Sequence, residues 1–521
     1  MTMTQTLINL EFNNIADLIE HSLLKYADKP AFSCLGQTLS FAQIDAQSKA
    51  LACWLQQQES LSPGDRIVIQ LPNLNQYPIA VYAAFRAGLI IVNTNPLYTP
   101  REMQHQFKDS GAKAIILLTD LLPKFNEVKE HTDIQLVITT AATDLLTGDM
   151  TAPIGCVGLN QILTEYADAV LAPRHATSIN DNAVLQYTGG TTGVSKGACL
   201  THSNIMSNAE QTRLVLKDGC TEGEEIFVCP LPLYHIYAFS VNMLVFTTSG
   251  NLNILIPNPR DMDAFVKAIK PFKFTGFAGI NTLFVGLCMH PEFKALDFSA
   301  LKITISGGTA LTSTAVDMWK TTTGCSISEG YGLSETSPVV CFNRPGKERL
   351  GTVGRPVEGT EIQLWDENDQ IVEEGQIVVK GPQVMAGYWN MPEETAKAIT
   401  QDGFFKTGDV GICLEDGTIK IVDRLKDMII VSGFNVYPNE IEDVLSQHDA
   451  ILEAAVIGEP DEKTGEKVCA YITVKSEVSE SDILAHCKVM LTAYKVPKKI
   501  VFMQELPKSS VGKLLRRELR K

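Results

Sequence analysis

The sequence has no apolar run near the length of about 18 residues that a membrane-spanning helix needs. Residues 1–6 contain no basic residue and no apolar core, so no secretory signal peptide is predicted. The 12 cysteines include no C-x-x-C pair and no Cys/His cluster, which argues against a zinc site and against a disulfide framework. These absences predict a cytoplasmic protein with buried thiols.

Positive charge is also scarce. The chain has 44 Lys and Arg residues and 60 Asp and Glu residues, which gives a formal net charge of −16. Such an acidic chain is unsuited to nucleic acid as a general partner. Only residues 495–521 are basic. That segment is either a solvated terminus, a contact with the anionic inner face of a membrane, or the carrier of a catalytic lysine.

The pattern of apolar residues predicts an α/β protein with a large and a small domain. Buried strands alternate with amphipathic helices from about residue 64 to 335, which is typical of parallel sheets covered by helices. Short strands and turns follow and indicate a small β-barrel or sandwich. The predicted large N-terminal domain (1–424) therefore contains α/β halves at about 50–190 and 191–335 and the barrel at about 340–424, followed by a mobile α+β domain at 425–521.

Residues 187–197 are dense in glycine, threonine and serine and follow a predicted strand. Backbone amides of glycines can turn inward to bind an anion, and hydroxyls and Lys196 add donors and positive charge suited to phosphate. A Walker-type loop is excluded, because Lys196 is preceded by Ser195 and followed by Gly197 rather than opening a helix as Gly-Lys-Ser/Thr. A surface linker is the plainer alternative.

Residues 329–336 follow another predicted strand, at the edge where α/β sheets bind ligands. The ring of Tyr331 suits stacking on a nucleotide base. Ser334 offers a hydroxyl to phosphate, and Glu335 offers a hard oxygen to Mg²⁺. The alternative is a tight loop around a buried tyrosine.

Three further groups of residues carry chemistry less specifically. The Asp409 carboxylate can accept both hydroxyls of a ribose and Arg424 can complete the grip, although both are also common in surface ion pairs. His235 lies in an apolar, aromatic stretch, where a satisfied core histidine is the usual explanation. Residues 506–513 end in Lys513, which taken alone is a solvated lysine of a basic tail.

Taken in this order, the motifs resemble those of the adenylate-forming superfamily of acyl-CoA synthetases, luciferases and peptide-synthetase adenylation domains. The resemblance covers essentially the whole chain and is closest to bacterial long-chain fatty-acid–CoA ligases. Further similar stretches lie at 92–102, 257–261, 381–389 and 427–438. Ser334 replaces the usual threonine and keeps its hydroxyl, whereas Gln376 departs from the usual glutamate in the β region.

The resemblance implies the roles of particular residues. Lys513, Glu335, Thr188 and Lys196 would act in catalysis, and Thr188 and Glu335 would hold Mg²⁺. His235 and Phe239 would line and gate the acyl site, Lys426 would be the hinge, and Gly433 would help to form the CoA tunnel. The implied ATP and AMP site consists of Thr188, Gly189, Gly190, Thr191, Thr192, Gly193, Lys196, Gly307, Gly308, Tyr331, Gly332, Ser334, Glu335, Asp409 and Arg424.

The implied activity joins a fatty acid to CoA at the expense of ATP, through an acyl-adenylate and with release of diphosphate and AMP. Three alternatives stay open at this point: a ligase of medium-chain or aryl acids, an acyl-AMP ligase that serves a carrier protein, and a non-catalytic acyl-chain binding or uptake protein. The sequence also leaves open the preferred chain length, peripheral contact with a membrane and formation of a homodimer.

Overall fold

The structure is a computed structural model that describes residues 11–188, 195–509 and 512–520. The helices are α1 (Ile15–Lys25), α2 (Phe41–Gln56), α3 (Gln76–Arg86), α4 (Pro100–Ser110), α5 (Leu122–Asn126), α6 (Asp144–Thr147), α7 (Leu159–Glu165), α8 (His202–Leu216), α9 (Ile236–Ala238), α10 (Met262–Ile269), α11 (Asn281–Met289), α12 (Pro291–Lys294), α13 (Ser313–Thr323), α14 (Pro392–Ala398), α15 (Pro438–Ser446) and α16 (Glu480–Met490).

The strands form four sheets. They are β1 (Pro30–Cys34), β2 (Gln37–Ser40), β3 (Arg66–Gln70), β4 (Ile90–Asn93), β5 (Ala114–Leu118), β6 (Leu136–Thr140), β7 (Val157–Gly158), β8 (Asn182–Thr188), β9 (Lys196–Thr201), β10 (Ile226–Cys229), β11 (Leu252–Leu255), β12 (Gly276–Gly279), β13 (Ile303–Ser306), β14 (Ile327–Gly332), β15 (Val339–Phe342), β16 (Arg355–Pro356), β17 (Glu361–Trp365), β18 (Glu374–Lys380), β19 (Gly387–Tyr388), β20 (Phe405–Cys413), β21 (Ile419–Arg424), β22 (Ile429–Val431), β23 (Phe434–Val436), β24 (Ile451–Asp461), β25 (Gly465–Val474) and β26 (Lys499–Phe502).

The first sheet has eight strands in the order β19-β9-β8-β4-β3-β5-β6-β7. Its central strands are parallel and almost entirely buried, as expected for a sheet covered by helices on both faces. Strands β8 and β9 pair antiparallel, with Thr188 opposite Lys196. This pairing brings together the two ends of the glycine-rich stretch.

The second sheet has nine strands in the order β16-β15-β14-β13-β12-β10-β11-β1-β2. The α/β halves expected at 50–190 and 191–335 do not correspond one to one with the two sheets. β9 joins the first sheet, and β1 and β2, which precede both predicted halves, join the second. An apolar pattern identifies a strand without naming its neighbours. β9 belongs to the first sheet because it forms a hairpin with β8.

The region predicted as a small barrel or sandwich (340–424) divides between two sheets. Strands β15 and β16 extend the nine-stranded sheet, and the other four long strands pair antiparallel in the order β17-β18-β20-β21. In the described residues this hydrogen-bonded order is an open path. Its apolar residues Leu364, Ile377 and Ile419 pack against Val340 and Cys341 of β15, so the small sheet closes on the large one.

The last hundred residues form a separate α+β unit with its own core. The described strands pair as β23-β22-β25-β24, β26 adds parallel to β25, and α15 packs on β24. Its core includes Ile441, Leu445, Val456, Ile472 and Ile483. A core distinct from that of the large sheets is what an independently folding unit requires.

Carboxylates within the small unit neutralise much of the basic segment at 495–521. The pairs are Lys495–Glu440 at 2.7 Å, Lys499–Glu459 at 2.8 Å, Lys508–Glu453 at 2.7 Å, Arg516–Glu442 at 2.7 Å and Arg520–Asp427 at 2.9 Å. These pairs reduce the positive charge that the segment offers to an anionic membrane. Across the described parts of the chain, no helix combines the length and apolar character that a membrane crossing requires.

The small unit contacts the large one through α13 and α15. The backbone N–H and the hydroxyl of Ser313 both donate to Asp443 Oδ1 at 3.1 Å, and the Thr314 hydroxyl donates to the Ser446 carbonyl at 2.9 Å. Near the end of the chain, a Cβ placed on Gly512 would lie 2.6 Å from Ile280 Cδ1 in the large unit. The residue before Lys513 is therefore pressed against the large unit.

Candidate active site

The candidate site lies where the two large sheets meet, at the ends of strands β8, β13 and β14. The turn formed by residues 334–336 contacts β8 and β9, and so joins the nine-stranded sheet to the eight-stranded one. The predicted nucleotide residues at these ends are Thr188, Gly307, Gly308, Tyr331, Gly332, Ser334 and Glu335. Gly332 also has a structural role, because a Cβ there would lie 2.0 Å from the Pro338 carbonyl oxygen.

Tyr331, Asp409 and Arg424, predicted from separate motifs, form one hydrogen-bonded group. The Tyr331 hydroxyl donates to Asp409 Oδ2 at 2.7 Å, and Arg424 Nε lies 2.9 Å from Asp409 Oδ1. Asp409 and Arg424 face each other across β20 and β21. Burial, with the nearby carboxylate of Asp409, raises the pKa of Tyr331 well above its ordinary value, so the phenol keeps its proton.

Glu335 is half-buried and tied to β19 of the other sheet. Its Oε1 accepts a hydrogen bond from the Tyr388 hydroxyl at 3.0 Å, and its carbonyl accepts one from Met385 N–H at 2.8 Å. Burial raises the pKa of Glu335, which means that a nearby cation would relieve an unfavourable negative charge. Tyr388 was not predicted as a site residue, although the stretch at 381–389 was recognised as similar to the family.

Lys196, expected to contact phosphate, is paired with Glu394 of α14. Its Nζ also lies 5.1 Å from the centre of the Tyr388 ring. Glu394 receives a second cation, since Lys397 Nζ lies 2.7 Å from its Oε1. The hydrogen bond from Lys196, supported by Lys397, lowers the pKa of Glu394 to about 2. Sequence reasoning missed Glu394.

Helix α4 supports both ends of the glycine-rich stretch. The Tyr187 hydroxyl donates to Asp109 Oδ2 at 2.5 Å, and His105 Nε2 donates to the Ser195 carbonyl at 2.9 Å. Trp389 Nε1 adds a bond to the Asp109 carbonyl at 3.1 Å. The predicted phosphate contacts Gly189, Gly190, Thr191, Thr192 and Gly193 lie outside the described residues.

Lys513 lies close to the group formed by Asp409 and Arg424. Burial lowers its pKa to about 8, and the positive charges of Arg424 and Lys426 add to this effect while Asp409 opposes it. Burial, together with the positive charge of Lys513, lowers the pKa of His235 to about 4, so His235 also lies within electrostatic reach of Lys513. The structure therefore brings a lysine from the end of the chain close to Asp409 and Arg424 of the predicted nucleotide site.

The predicted acyl-site residues lie on one apolar element. His235 precedes α9, and its Nδ1 accepts a hydrogen bond from Tyr237 N–H at 3.4 Å. Phe239 is completely buried and begins a π-helical run that ends at Phe246, in which every residue is buried. Such runs are rare and often occur at functional sites. The gating role of Phe239 stays a prediction.

The residues predicted for hinge and CoA tunnel lie outside this cluster. Lys426 is in the turn directly after β21, between the two units, and burial lowers its pKa to about 8. Gly433 is exposed at the turn between β22 and β23, with a left-handed φ of 84°. In this orientation of the small unit, Lys513 faces the site and Gly433 faces solvent.

The described residues contain no group of three or more His, Cys, Asp or Glu side chains arranged to hold a metal ion. Magnesium ions in nucleotide sites commonly use one or two carboxylates together with substrate phosphates. The partly desolvated carboxylate of Glu335 fits that limited requirement. The hydroxyl of Thr188, at the end of β8, is a second oxygen of suitable type.

Comparison with known families agrees with this arrangement. The AMP-binding enzyme family matches residues 19–389, and the AMP-binding enzyme C-terminal domain matches residues 440–513. The chain belongs to the AMP-binding enzyme family. This membership confirms the resemblance inferred from the motifs.

Relatives within the family are similar over nearly their whole length. A long-chain-fatty-acid–CoA ligase of Salmonella typhimurium is 43% identical over 98% of this chain and 94% of its own length. The enzyme of the same name from Bacillus subtilis is 38% identical over 97% and 94%. The solved structure of the anthranilate CoA ligase AuaEII with anthranoyl-AMP gives a TM-score of 0.91 at 26% identity, covering 99% of this chain and 98% of that one. The predicted fold class is confirmed.

Proposed function

We propose that the protein is an ATP-dependent long-chain-fatty-acid–CoA ligase, an acid–thiol ligase that forms acyl-CoA, AMP and diphosphate through an acyl-adenylate. The observation that carries the proposal is the position of Lys513 near Asp409 and Arg424, which form one hydrogen-bonded group with Tyr331. This group combines a ring suited to a base, a carboxylate suited to a ribose and cations suited to an α-phosphate. The names of the full-length relatives support fatty acid as the substrate.

In the first half-reaction the fatty carboxylate attacks the α-phosphorus of ATP, the bond to the bridging oxygen of the β-phosphate breaks, and diphosphate leaves. Because two anions must meet, catalysis depends mainly on alignment and charge neutralisation. Lys513 is suited to neutralise the carboxylate and the α-phosphate as they approach. Lys196 and the hydroxyls of the glycine-rich stretch are suited to the departing diphosphate.

Thr188 and Glu335 would hold Mg²⁺ with the phosphates of ATP. The ion supplies further neutralisation of phosphate charge. The Tyr388 hydroxyl restrains the Glu335 carboxylate through the hydrogen bond of 3.0 Å. His235 and the buried run that begins at Phe239 would receive the acyl chain.

In the second half-reaction the small unit rotates about Lys426, which withdraws Lys513 and presents the turn at Gly433. The CoA sulfur, attacking as thiolate, then displaces AMP from the acyl carbon. Because acyl-AMP is easily hydrolysed, enclosing it between the two steps protects the intermediate. Exposure of Gly433 in the present orientation is consistent with its use in a different one.

The two half-reactions can be tested separately. ATP–pyrophosphate exchange and CoA thioester release would be measured with C8 and C16 fatty acids and with benzoate, and we expect the C16 substrate to give the highest kcat/KM. Exchange without thioester release would indicate an acyl-AMP ligase. Binding of fatty acid without pyrophosphate release from any carboxylate would contradict the enzymatic proposal.

Lys513→Ala supplies the matched variant. Losing one charge that acts only as the anions meet should slow acyl-AMP formation by about 100-fold or more. Thioester formation from supplied acyl-AMP should remain near the wild-type rate, because Lys513 is withdrawn in that step. Equal loss in both steps would contradict the assignment.

A further inference from the structure

The pair between Lys196 and Glu394 joins the candidate phosphate-binding stretch to helix α14, almost 200 residues later in the chain. The two side chains are similarly half-buried, with 33% and 34% of their surfaces exposed. The Tyr388 ring, 5.1 Å from Lys196 Nζ, covers the lysine on another side. The ammonium group is therefore held against a carboxylate at the place where phosphate is expected to bind.

Glu394 is fixed in this position by the element that carries it. Tyr388 N–H donates to Thr395 Oγ1 at 2.8 Å, which ties α14 to β19. Strand β19 pairs with β9, and Trp389 N–H donates to the Gly197 carbonyl at 2.7 Å, next to Lys196 itself. Glu394 is thus anchored to the same strand edge as Lys196, unlike the partner in an ordinary mobile surface pair.

The pair has a direct consequence for anion binding. Phosphate oxygens that approach Lys196 must displace the Glu394 carboxylate or accept it as a neighbouring like charge. ATP brings its adenosine and its α-phosphate contacts to the site, whereas departing diphosphate has only its charge and its hydrogen bonds. Displacing Glu394 costs ATP and diphosphate the same free energy, but that cost is a larger fraction of the binding free energy of diphosphate, which makes fewer contacts with the site.

We propose that Glu394 is a positioning residue that holds Lys196 between turnovers and competes with diphosphate for it, which speeds release of that product. The proposal rests on the proposed function and adds a regulator of product affinity at the same site. When diphosphate leaves, the Lys196 ammonium returns to the carboxylate, so its positive charge always has a partner. The carboxylate of Glu394 thus serves as the counter-ion of Lys196 when no phosphate is bound there.

The test measures binding of inorganic pyrophosphate, at fixed Mg²⁺ concentration, to wild type and to Glu394→Gln by isothermal titration calorimetry. Because the pair is partly exposed and solvent weakens the attraction between its charges, the variant should bind pyrophosphate only about 3- to 5-fold more tightly. Pyrophosphate should inhibit acyl-AMP formation more strongly by the same factor. Glu393→Gln removes an equal charge from the same helix without touching Lys196, and should bind as the wild type does.

The sign of the effect separates this role from a structural one. If Glu394 only supported α14, the variant would bind pyrophosphate more weakly, and that result would overturn the proposal, as would unchanged binding. In a Lys196→Ala background, adding Glu394→Gln should produce no further tightening. If the wild type binds pyrophosphate and forms acyl-AMP, but Glu394→Gln binds pyrophosphate with the same affinity, this inference alone is rejected. If the wild type forms no acyl-AMP, the proposed function itself is rejected.

Discussion

In the proposed mechanism, Lys513 carries a positive charge in a site that already holds other cations. Arg424 and Lys426 both disfavour its protonated form, and Asp409 is the nearby carboxylate that favours it. Burial is the largest cause of the lowered pKa of about 8. The charge required by the first half-reaction is therefore complete near neutrality and is lost in the mildly alkaline range.

The pH profile of acyl-AMP formation should show this loss. At about pH 7 and below, the lysine is almost fully protonated and the rate is close to its plateau. Above the pKa of about 8, kcat/KM should fall as the ammonium deprotonates, by about tenfold per pH unit at the limit. ATP–pyrophosphate exchange measured from about pH 6 to pH 10 checks this.

Lys513→Arg is the control for the profile, because guanidinium stays charged throughout that range. The variant should be slower at neutral pH, since its geometry differs, and should lack the alkaline decline. A decline of the same shape in the arginine variant would assign the titration to another group.

The site residues that could be predicted are those whose chemistry is contained in a short stretch. Tyr331, Asp409 and Arg424 each stand in a recognisable motif, and the structure adds the hydrogen bonds that join them. Glu394 could not be predicted, because its meaning depends on β19 pairing with β9. A glutamate near the start of an exposed helix is ordinary until its neighbour is known to be Lys196.

Among the elements, α13 and α15 form one of the contacts that hold the small unit in its present orientation. Asp443 on α15 accepts two hydrogen bonds from Ser313, at the first residue of α13. A carboxylate at a helix N-terminus also interacts favourably with the helix dipole. This contact stabilises the orientation in which Lys513 faces the nucleotide site.

Asp443→Ala should therefore slow acyl-AMP formation while sparing the second half-reaction. Hydrogen bonds to a charged group contribute about 1.5 kcal/mol or more, so a decrease of about tenfold is expected. Thioester formation from supplied acyl-AMP should be unchanged or faster, because it uses another orientation. Asp449→Ala, an exposed change just beyond the same helix, serves as the control. Slowing of the second step by Asp443→Ala would refute this interpretation.

Local signals predicted elements better than they predicted their arrangement. Thr99, Pro100 and Glu102 form a sequence pattern typical of a helix start, and at the start of α4 both hydrogen bonds of the capping box are present. The place of β1 and β2 in the second sheet had no such signal, because β1 pairs with β11 from more than 200 residues later. Short-range chemistry fixes where a helix begins, whereas packing across the whole chain decides which sheet a strand joins.

At the scale of the whole molecule, one small unit carries both Lys513 and Gly433, and the structure places only Lys513 at the site. Gly433 is exposed on a hairpin whose Phe434 ring stacks on Tyr494 at 4.9 Å. Bringing Gly433 to the site requires the unit to turn, and the turn after β21 is the covalent connection about which it can do so. This connection runs from Arg424, the last residue of β21 in the large unit, to Asp427 at the start of the small unit.

Lys426→Pro should separate the two half-reactions in the direction opposite to Lys513→Ala. Proline fixes φ near −65° and restricts the residue before it, so the unit would be hindered from reaching its second orientation. Thioester formation from supplied acyl-AMP should fall by about 100-fold, the scale expected of misplaced reacting groups, while ATP–pyrophosphate exchange is largely retained.

Lys426→Ala removes the same side chain and leaves φ free, so it should support both half-reactions. Matching losses in the alanine and proline variants would show that the side chain, rather than rotation of the backbone, is what the second step needs. The proline variant could instead lose ATP–pyrophosphate exchange while the alanine variant keeps it and the unfolding transition of both is unchanged. That result would mean that the turn holds Lys513 in place for the first step. If the proline variant still forms thioester from supplied acyl-AMP, restraining φ at position 426 has no effect on the rotation. The hinge would then lie at another residue.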